Sequence, residues 1–382
     1  MGHTVNLFTR RPDEWKQHVE CDITDGLTGK VSGTHRGTIH RKSNNPIDVI
    51  PQADVIIFCL PVHLYRTVLD QIAPHISNDK PQVYVGTVFG QAGFDWMVSS
   101  SIIHYDQDQP RKNIVTFAIG SIPWICRART YGERGINYGP KQVNVVAVTP
   151  QNKFEELNDL FLEDISSRPL GRGKFELADT FLDLTLSVDN QILHPARCYG
   201  LWKKSGGIWD SLETVPYFYR DFDRKSADLL EKLDAEYETI RQAIRKALPQ
   251  KQFKYMLGYA ELEQLDHKSS HVDILASLRD SAQLASIKTP TVEGEDGKRH
   301  LDTNFRFFKD DIGFGLLIAK AIAELVKVET PIIDEVIEWA QKLRGDKFIQ
   351  NGKINFKYCM SQEYLCGIPQ VYGLYTVEDL VD

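Results

Sequence analysis

The segment DVIIFCLP at residues 54–61 is apolar without interruption from Val55 to Leu60. A run of this kind is typical of a strand that is covered on both faces, as in a parallel sheet. Three later segments have the same character: VYVGTV at 83–88, IVTFAI at 114–119 and VNVVAV at 143–148. Such strands, separated by helical spacers, predict an α/β domain with a Rossmann-like, doubly wound parallel sheet.

Before this run, the N-terminal segment TVNLFTRRP at 4–12 indicates a short strand that includes Val5 and Leu7. Pro12 suits the first turn of a helix, which we expect to continue through residues 13–17. The stretch at 26–43 is rich in Gly and Thr and predicts a small hairpin.

The second half of the chain has helical periodicity. Residues 223–248 have one apolar face, and residues 311–326 are apolar nearly all round, which indicates a buried helix. A further helix has Thr330 as its cap, Pro331 in its first turn and Gly345 at its end. We therefore predict a Rossmann-like domain at 1–178 and a mostly α-helical domain at 179–382. The apolar face predicted within 223–248 consists of Ala227, Leu230, Leu233, Tyr237, Ile240 and Ile244.

Composition limits the classes of function. A net charge of −7 argues against a nucleic-acid partner, which would need a dominant basic face. No apolar run has the length of a membrane span, and the N-terminus lacks the pattern of a signal peptide. The six cysteines form no CxxC pair, so we expect neither zinc nor a disulfide framework, and a reduced, cytoplasmic protein fits best.

The glycine loop of a dinucleotide-binding domain is missing from this sequence. Such a domain opens with a strand, GxGxxG and a helix, whereas the segment at 4–12 resembles its second strand, which ends beside the adenosine ribose. Arginine there accommodates a 2′-phosphate, so Thr9, Arg10 and Arg11 favour NADP over NAD, unless they are only solvated surface residues. We expect the chain to begin after the first strand, through a shortened gene model, a start-site choice or real loss.

The segment DNQILHP at 189–195 carries a candidate proton-transfer group. Asn190 and His194 are four residues apart, so a helix places them on one face. Imidazole titrates near neutrality and is suited to exchange a proton with a reacting carbonyl or amine. Pro195 is expected to end or kink that helix. The alternative is a helix-terminal histidine that bonds only to local groups.

A second cluster, RFFKDD at 306–311, leads into the buried helix. Arg306 can hold a carboxylate through two parallel hydrogen bonds. Asp311 can orient a histidine and stabilise its protonated form, or it can simply interact favourably with a helix N-terminus. Gln91 and Ser121 follow predicted strands, where ligands bind at the carboxyl edge, although each is also an ordinary turn residue. His63 is expected to be a loop residue.

Taken together, several segments resemble the opine dehydrogenase family in their order and spread along the chain. They are ADVIIFCLP at 53–61, QAGF at 91–94, PWICR at 123–127, HPA at 194–196, PYFYRDFD at 216–223, RFFKDDI at 306–312 and TPIIDEVIEWAQ at 330–341.

The resemblance implies a reductive condensation. An amino acid and a 2-keto acid, usually pyruvate, would form an imine that NAD(P)H reduces. His194 would be the general acid/base, and Asp311 its partner. The other implied roles are binding of substrate carboxylate by Arg306, placement of the keto acid by Gln91 and Ser121, a contribution to the catalytic group by Asn190, and contact with the cofactor by Pro61.

Other interpretations stay open. The missing glycine loop fits a catalytically silent, metabolite-binding paralogue, and Gly120 and Ser121 replace the Glu-Thr common in the family. A glycerol-3-phosphate or hydroxy-acid dehydrogenase would have a similar build but would need a catalytic lysine, which the sequence beside His194 does not offer. We expect small-molecule substrates, no metal, and a monomer or homodimer.

Overall fold

The computed structural model describes residues 2–24, 30–267, 274–279 and 284–381. These residues form two compact units. Unit 1 comprises Met1–Cys59, Tyr65–Gly90 and Phe94–Leu177, and unit 2 comprises Leu60–Leu64, Gln91–Gly93 and Ala178–Asp382. The segments 60–64 and 91–93, which the predicted boundary assigns to the first domain, therefore pack with the helical residues.

Unit 1 contains ten strands among its described residues. They are β1 (Val5–Phe8), β2 (His18–Thr24), β3 (Val31–Ser43), β4 (Val55–Phe58), β5 (Val83–Thr87), β6 (Ile114–Ile119), β7 (Trp124–Thr130), β8 (Arg134–Pro140), β9 (Val143–Thr149) and β10 (Lys174–Leu177).

The apolar segments found in the sequence build one five-stranded sheet, in the order β10-β9-β6-β5-β4. β4, β5 and β6 are parallel, as predicted, and β5 and β6 are buried along their whole length. β9 runs antiparallel to β6, while β10 is parallel to β9. An apolar run reports that a strand is covered on both faces but carries no information about its direction.

The remaining strands form a second five-stranded sheet, in the order β1-β3-β2-β8-β7. The predicted helix over 13–17 is wrong beyond one turn, because a 3₁₀ turn spans only Pro12–Glu14 and β2 starts at His18. Pairing of β2 with both β3 and β8 outweighs the local helical preference. The predicted hairpin lies partly outside the described residues, and the observed antiparallel pair is β2 with β3.

The described part of unit 1 also contains five short α-helices, with π-helical turns at Ser99–Ile103 and Asn158–Leu162. Part of the core lies between the first sheet and these helices, where Phe117, Val146, Leu157 and Leu162 are fully buried. The helices are α1 (Tyr65–Ile72), α2 (Phe94–Val98), α3 (Phe154–Leu157), α4 (Glu163–Ile165) and α5 (Ser167–Leu170).

Unit 2 is mostly helical, with short strands at β11 (Ile208–Trp209), β12 (Thr291–Glu293), β13 (Arg299–Leu301), β14 (Ile349–Gln350) and β15 (Lys353–Ile354). A π-helical turn at Ile312–Leu316 leads into the predicted buried helix. Its helices are α6 (Phe181–Leu186), α7 (Asn190–Ser205), α8 (Arg224–Ala247), α9 (Tyr259–His267), α10 (Ile274–Arg279), α11 (Arg306–Lys309), α12 (Leu317–Leu325), α13 (Pro331–Arg344) and α14 (Phe356–Ser361).

The bounds of α8 and α13 agree with the sequence, but the capping residue of α13 does not. The whole predicted apolar face of α8 is buried, and Gly345 ends α13 with φ 80 in the left-handed region. Thr330 makes no side-chain cap. The carboxylate of Glu236, on α8, instead accepts hydrogen bonds from the backbone N–H groups of Ile332 and Ile333 at 2.8 and 2.9 Å.

The predicted architecture, an α/β domain followed by a mostly helical domain, is confirmed, although the strands form two sheets instead of one. Within the described ranges, no helix is long and apolar enough to cross a membrane. Among the same residues, no group of His, Cys, Asp or Glu side chains could hold a metal ion.

Candidate active site

His194 lies one turn into α7, after Asn190, which begins the helix. Of the two predicted effects of Pro195, ending or kinking the helix, the first is wrong, because α7 continues to Ser205. A proline within a helix costs roughly 3 kcal/mol through its missing N–H and its steric clash. Continuous burial from Gln191 to Leu201 offsets this cost.

Both ring nitrogens of His194 have hydrogen-bond partners. Nδ1 is 2.8 Å from Oδ2 of Asp311, and Nε2 is 3.0 Å from the hydroxyl of Tyr219. The three side chains form a linear hydrogen-bonded series whose members are 2% (Asp311), 0% (His194) and 7% (Tyr219) exposed. This arrangement resembles the way an acid orients an imidazole in catalytic triads.

Aromatic rings surround the imidazole. Phe307 stacks on it with ring centroids 3.7 Å apart and planes 22° from parallel, and Phe218 meets it edge-on at 5.6 Å. The resulting burial lowers the pKa of His194 well below its ordinary value, and the charge of Arg306 lowers it further. Burial likewise raises the pKa of Asp311, against the opposing effect of Arg306. Burial therefore favours the neutral form of the His194 imidazole.

Arg306 begins α11 and is exposed, so its charge is accessible to a soluble anion. Its guanidinium carbon is 5.2 Å from the ring centroid of Phe307, the same ring that stacks on His194. Asp311 precedes the turn Ile312–Leu316 but makes no side-chain cap there. The Asp311 carboxyl group bonds to His194 instead, which argues against a purely helix-capping role.

Gln91 lies in the part of unit 2 contributed by residues 91–93 and is buried. Its carbonyl oxygen accepts a hydrogen bond of 2.6 Å from Nε2 of Gln191, which follows Asn190 on α7. Gly315 makes room for this contact, since a Cβ there would be 2.5 Å from Cγ of Gln191. The Gln91 side-chain oxygen is buried and has no hydrogen-bond partner among the described residues.

The other candidate residues, Ser121, Pro61 and His63, differ in burial and in hydrogen bonding. In unit 1, Ser121 is buried and accepts a hydrogen bond of 2.5 Å from Nζ of the buried Lys141. In unit 2, Pro61 is exposed, and His63 is more than a loop residue, since its Nδ1 lies 2.5 Å from Oδ1 of Asp310.

Thr9, Arg10 and Arg11 follow β1 in unit 1. Arg10 and Arg11 are exposed, and Thr9 is half-buried. The guanidinium of Arg11 pairs with Glu14 at 3.1 Å and lies 4.2 Å from the ring centroid of Tyr131. One hydroxyl and two guanidinium groups form a donor set that fits a phosphate on the adenosine ribose. The sequence contains no GxGxxG loop for a pyrophosphate.

Sequence reasoning missed four polar residues around these candidates: Lys141, Gln191, Arg197 and Tyr219. Tyr219 lies in the segment PYFYRDFD, which supported the family resemblance without suggesting a role. Arg197 follows His194 by three residues, a spacing that places both on neighbouring parts of one helical face. That spacing was the available signal for Arg197.

Comparisons with known proteins find similarity to opine dehydrogenases. A family model described as the alpha-helical domain of NAD/NADP octopine/nopaline dehydrogenase matches residues 177–344. The chain is 27% identical to a tauropine dehydrogenase of Arabella iricolor, over 99% of this chain and 93% of the relative. It is 28% identical to an opine dehydrogenase of Haliotis discus hannai, over 89% of this chain and 80% of the relative.

A solved structure supports the fold. Octopine dehydrogenase, determined with NADH and L-arginine, matches with a TM-score of 0.76 over 99% of this chain and 90% of its own. The two sequences are 20% identical. At this identity the likeness is evidence for the fold alone.

Proposed function

We propose that the chain is a member of the opine dehydrogenase family, NAD(P)-dependent oxidoreductases that act on CH–NH groups, and that it condenses an amino acid reductively with a 2-keto acid. The observation that carries this proposal is the buried pair of His194 and Asp311. A neutral imidazole held by a carboxyl group can take a proton from an amine and return it to a leaving oxygen.

The substrates are held by groups around this pair. Arg306 binds the carboxylate of the keto acid, for which pyruvate is the proposed substrate, and Gln91, in the same unit, orients its keto oxygen. Asn190 lies one turn before His194 and offers an amide to the same substrate. The site works in a monomer or homodimer in the cytoplasm.

NADP or NAD supplies the hydride chemistry when it is bound. Thr9, Arg10 and Arg11, which follow β1 in unit 1, hold the adenosine end of the cofactor. The chain's own task is to exclude water, orient the two substrates and hold a proton on His194.

The proposed reaction can be tested with the purified full chain. We expect NADPH or NADH to be consumed only when pyruvate and an amino acid are both present, and mass spectrometry to find one secondary amine joining them. Reactions that lack either substrate are the controls. Failure with the whole panel of amino acids, or consumption with the keto acid alone, contradicts the proposal.

The arginines after β1 predict a cofactor preference. Arg10→Ala is expected to lower the ratio of kcat/KM with NADPH to kcat/KM with NADH by about tenfold. A charge-assisted hydrogen bond contributes roughly 1.5–3 kcal/mol, and the exposure of Arg10 places the effect at the lower end of that range. Arg36→Ala is the matched control, since Arg36 is an exposed arginine of unit 1 that pairs with Glu20. An unchanged preference after Arg10→Ala rejects the role of Arg10.

A further inference from the structure

The hydroxyl of Tyr219 is hydrogen-bonded to Nε2 of His194, the ring nitrogen that His194 would use for proton transfer. Nδ1 is engaged by Asp311, Nε2 is bonded to Tyr219, and the imidazole is 0% exposed. A general acid or base must come within hydrogen-bond distance of the proton that it moves. In this arrangement the oxygen of Tyr219 is the atom beyond Nε2 through which a proton can enter or leave.

The position of Tyr219 is fixed by a buried arginine on the helix that carries His194. The guanidinium of Arg197 donates hydrogen bonds to the carbonyl oxygens of Phe218 at 3.0 Å, Tyr217 at 3.3 Å and Asp221 at 2.8 Å. It also pairs with the carboxylate of Asp223 at 3.0 Å. Successive turns of α7 therefore hold the imidazole and the backbone on both sides of Tyr219.

We infer that Tyr219 is a proton relay between His194 and the reacting substrate atoms, an inference that rests on the proposed condensation. The ammonium group of the amino acid gives one proton to the Tyr219 oxygen as the hydroxyl proton passes to Nε2. The freed amine then attacks the keto carbon, and the C=O electron pair moves onto the oxygen. One proton passes from the new ammonium nitrogen to that oxygen, which gives the neutral carbinolamine.

The stored proton returns by the same path when the carbinolamine loses its hydroxyl group. That group takes the proton and leaves as water, while the nitrogen lone pair forms the C=N bond. One ammonium group and one carbonyl group thus give one iminium group and one water. Asp311 stabilises His194 while the ring carries the extra proton, which is the unfavourable state for a buried imidazole.

Tyr219→Phe tests the relay, because it removes the hydroxyl and leaves the ring that packs against Phe218 at 5.1 Å. We expect kcat for condensation to fall by about 100-fold, the lower end of the range for general acid–base catalysis, while KM for the keto acid and for the cofactor stays within about twofold. Tyr217→Phe is the matched control in the same loop and should keep normal kcat. A Tyr219→Phe enzyme with near-normal kcat overturns the relay.

A proton inventory gives a readout that a structural role would not change. With the relay, two protons move together, so the rate should depend on the deuterium fraction of the solvent along a curve. Tyr219→Phe should make that dependence linear, and an inventory that is the same in both proteins overturns the inference. An inactive wild-type chain would instead contradict the proposed function, so the two failures are distinguishable.

Discussion

His194→Gln is expected to lower kcat for the condensation by about a thousandfold, within the range of roughly 10²–10⁴ for general acid–base catalysis. Glutamine retains a side-chain amide that can bond to Asp311 but cannot store a proton. The effect should appear in kcat more than in KM, because the group acts on the proton and not on substrate binding. Steady-state rates at saturating pyruvate and amino acid measure it.

His104→Gln is the matched control, since His104 is an exposed histidine of unit 1 that bonds to Ser99. It should retain wild-type kcat. If His194→Gln has a kcat close to that of the wild type, His194 is not the general acid/base. Far-ultraviolet circular dichroism and thermal unfolding establish that both variants are folded.

The pH dependence of stability gives a second measurement on the same variant. Because burial lowers the pKa of folded His194, the unfolded chain binds its proton more tightly. The wild type should therefore lose stability relative to His194→Gln as the pH falls below the unfolded value, about 6.5. Urea unfolding at neutral and mildly acidic pH tests this, and a stability difference that does not change with pH contradicts a buried, neutral His194.

Sequence patterns identified the elements of this fold better than their arrangement. The apolar segments of β4, β5, β6 and β9 are all strands; β5 and β6 are buried along their whole length, whereas β4 alternates half-buried and buried residues. Their directions and the division into two sheets depend on pairing between distant segments, which periodicity does not encode. The same holds for the cap of α13, which comes from Glu236 on another helix.

The family resemblance suggested that His194, Asp311 and Arg306 act together, which the spacing of these residues along the sequence does not indicate. Local reasoning favours a histidine such as His194 because of its chemistry, but Asp311 lies 117 residues further along the chain. Tyr219 is 25 residues from His194 and reaches it through a loop fixed by Arg197. Hydrogen bonds between segments this far apart arise from packing, so no helical or strand period reveals them.

Arg306→Leu is expected to raise KM for the keto acid by about 10- to 100-fold, because a hydrogen bond to a charged group contributes roughly 1.5–3 kcal/mol. Arg306→Lys should give a smaller increase, since lysine keeps the charge but loses the planar pair of donors. Lys309→Met removes a positive charge from the same helix and should leave this KM unchanged. The measurement is initial velocity against pyruvate at saturating amino acid.

The pH profile shows whether Arg306 also acts on the proton-transfer pair. The charge of Arg306 lowers the pKa values of both His194 and Asp311, so its removal should raise both. His194 would then become protonated at a higher pH, and the acidic limb of the kcat profile should move to higher pH in Arg306→Leu but not in Arg306→Lys. A limb that stays in place would mean that Arg306 acts on substrate binding alone. An unchanged KM in Arg306→Leu would mean that another group binds the keto-acid carboxylate. If the Arg306 guanidinium contacted that carboxylate, its loss would weaken binding of the keto acid.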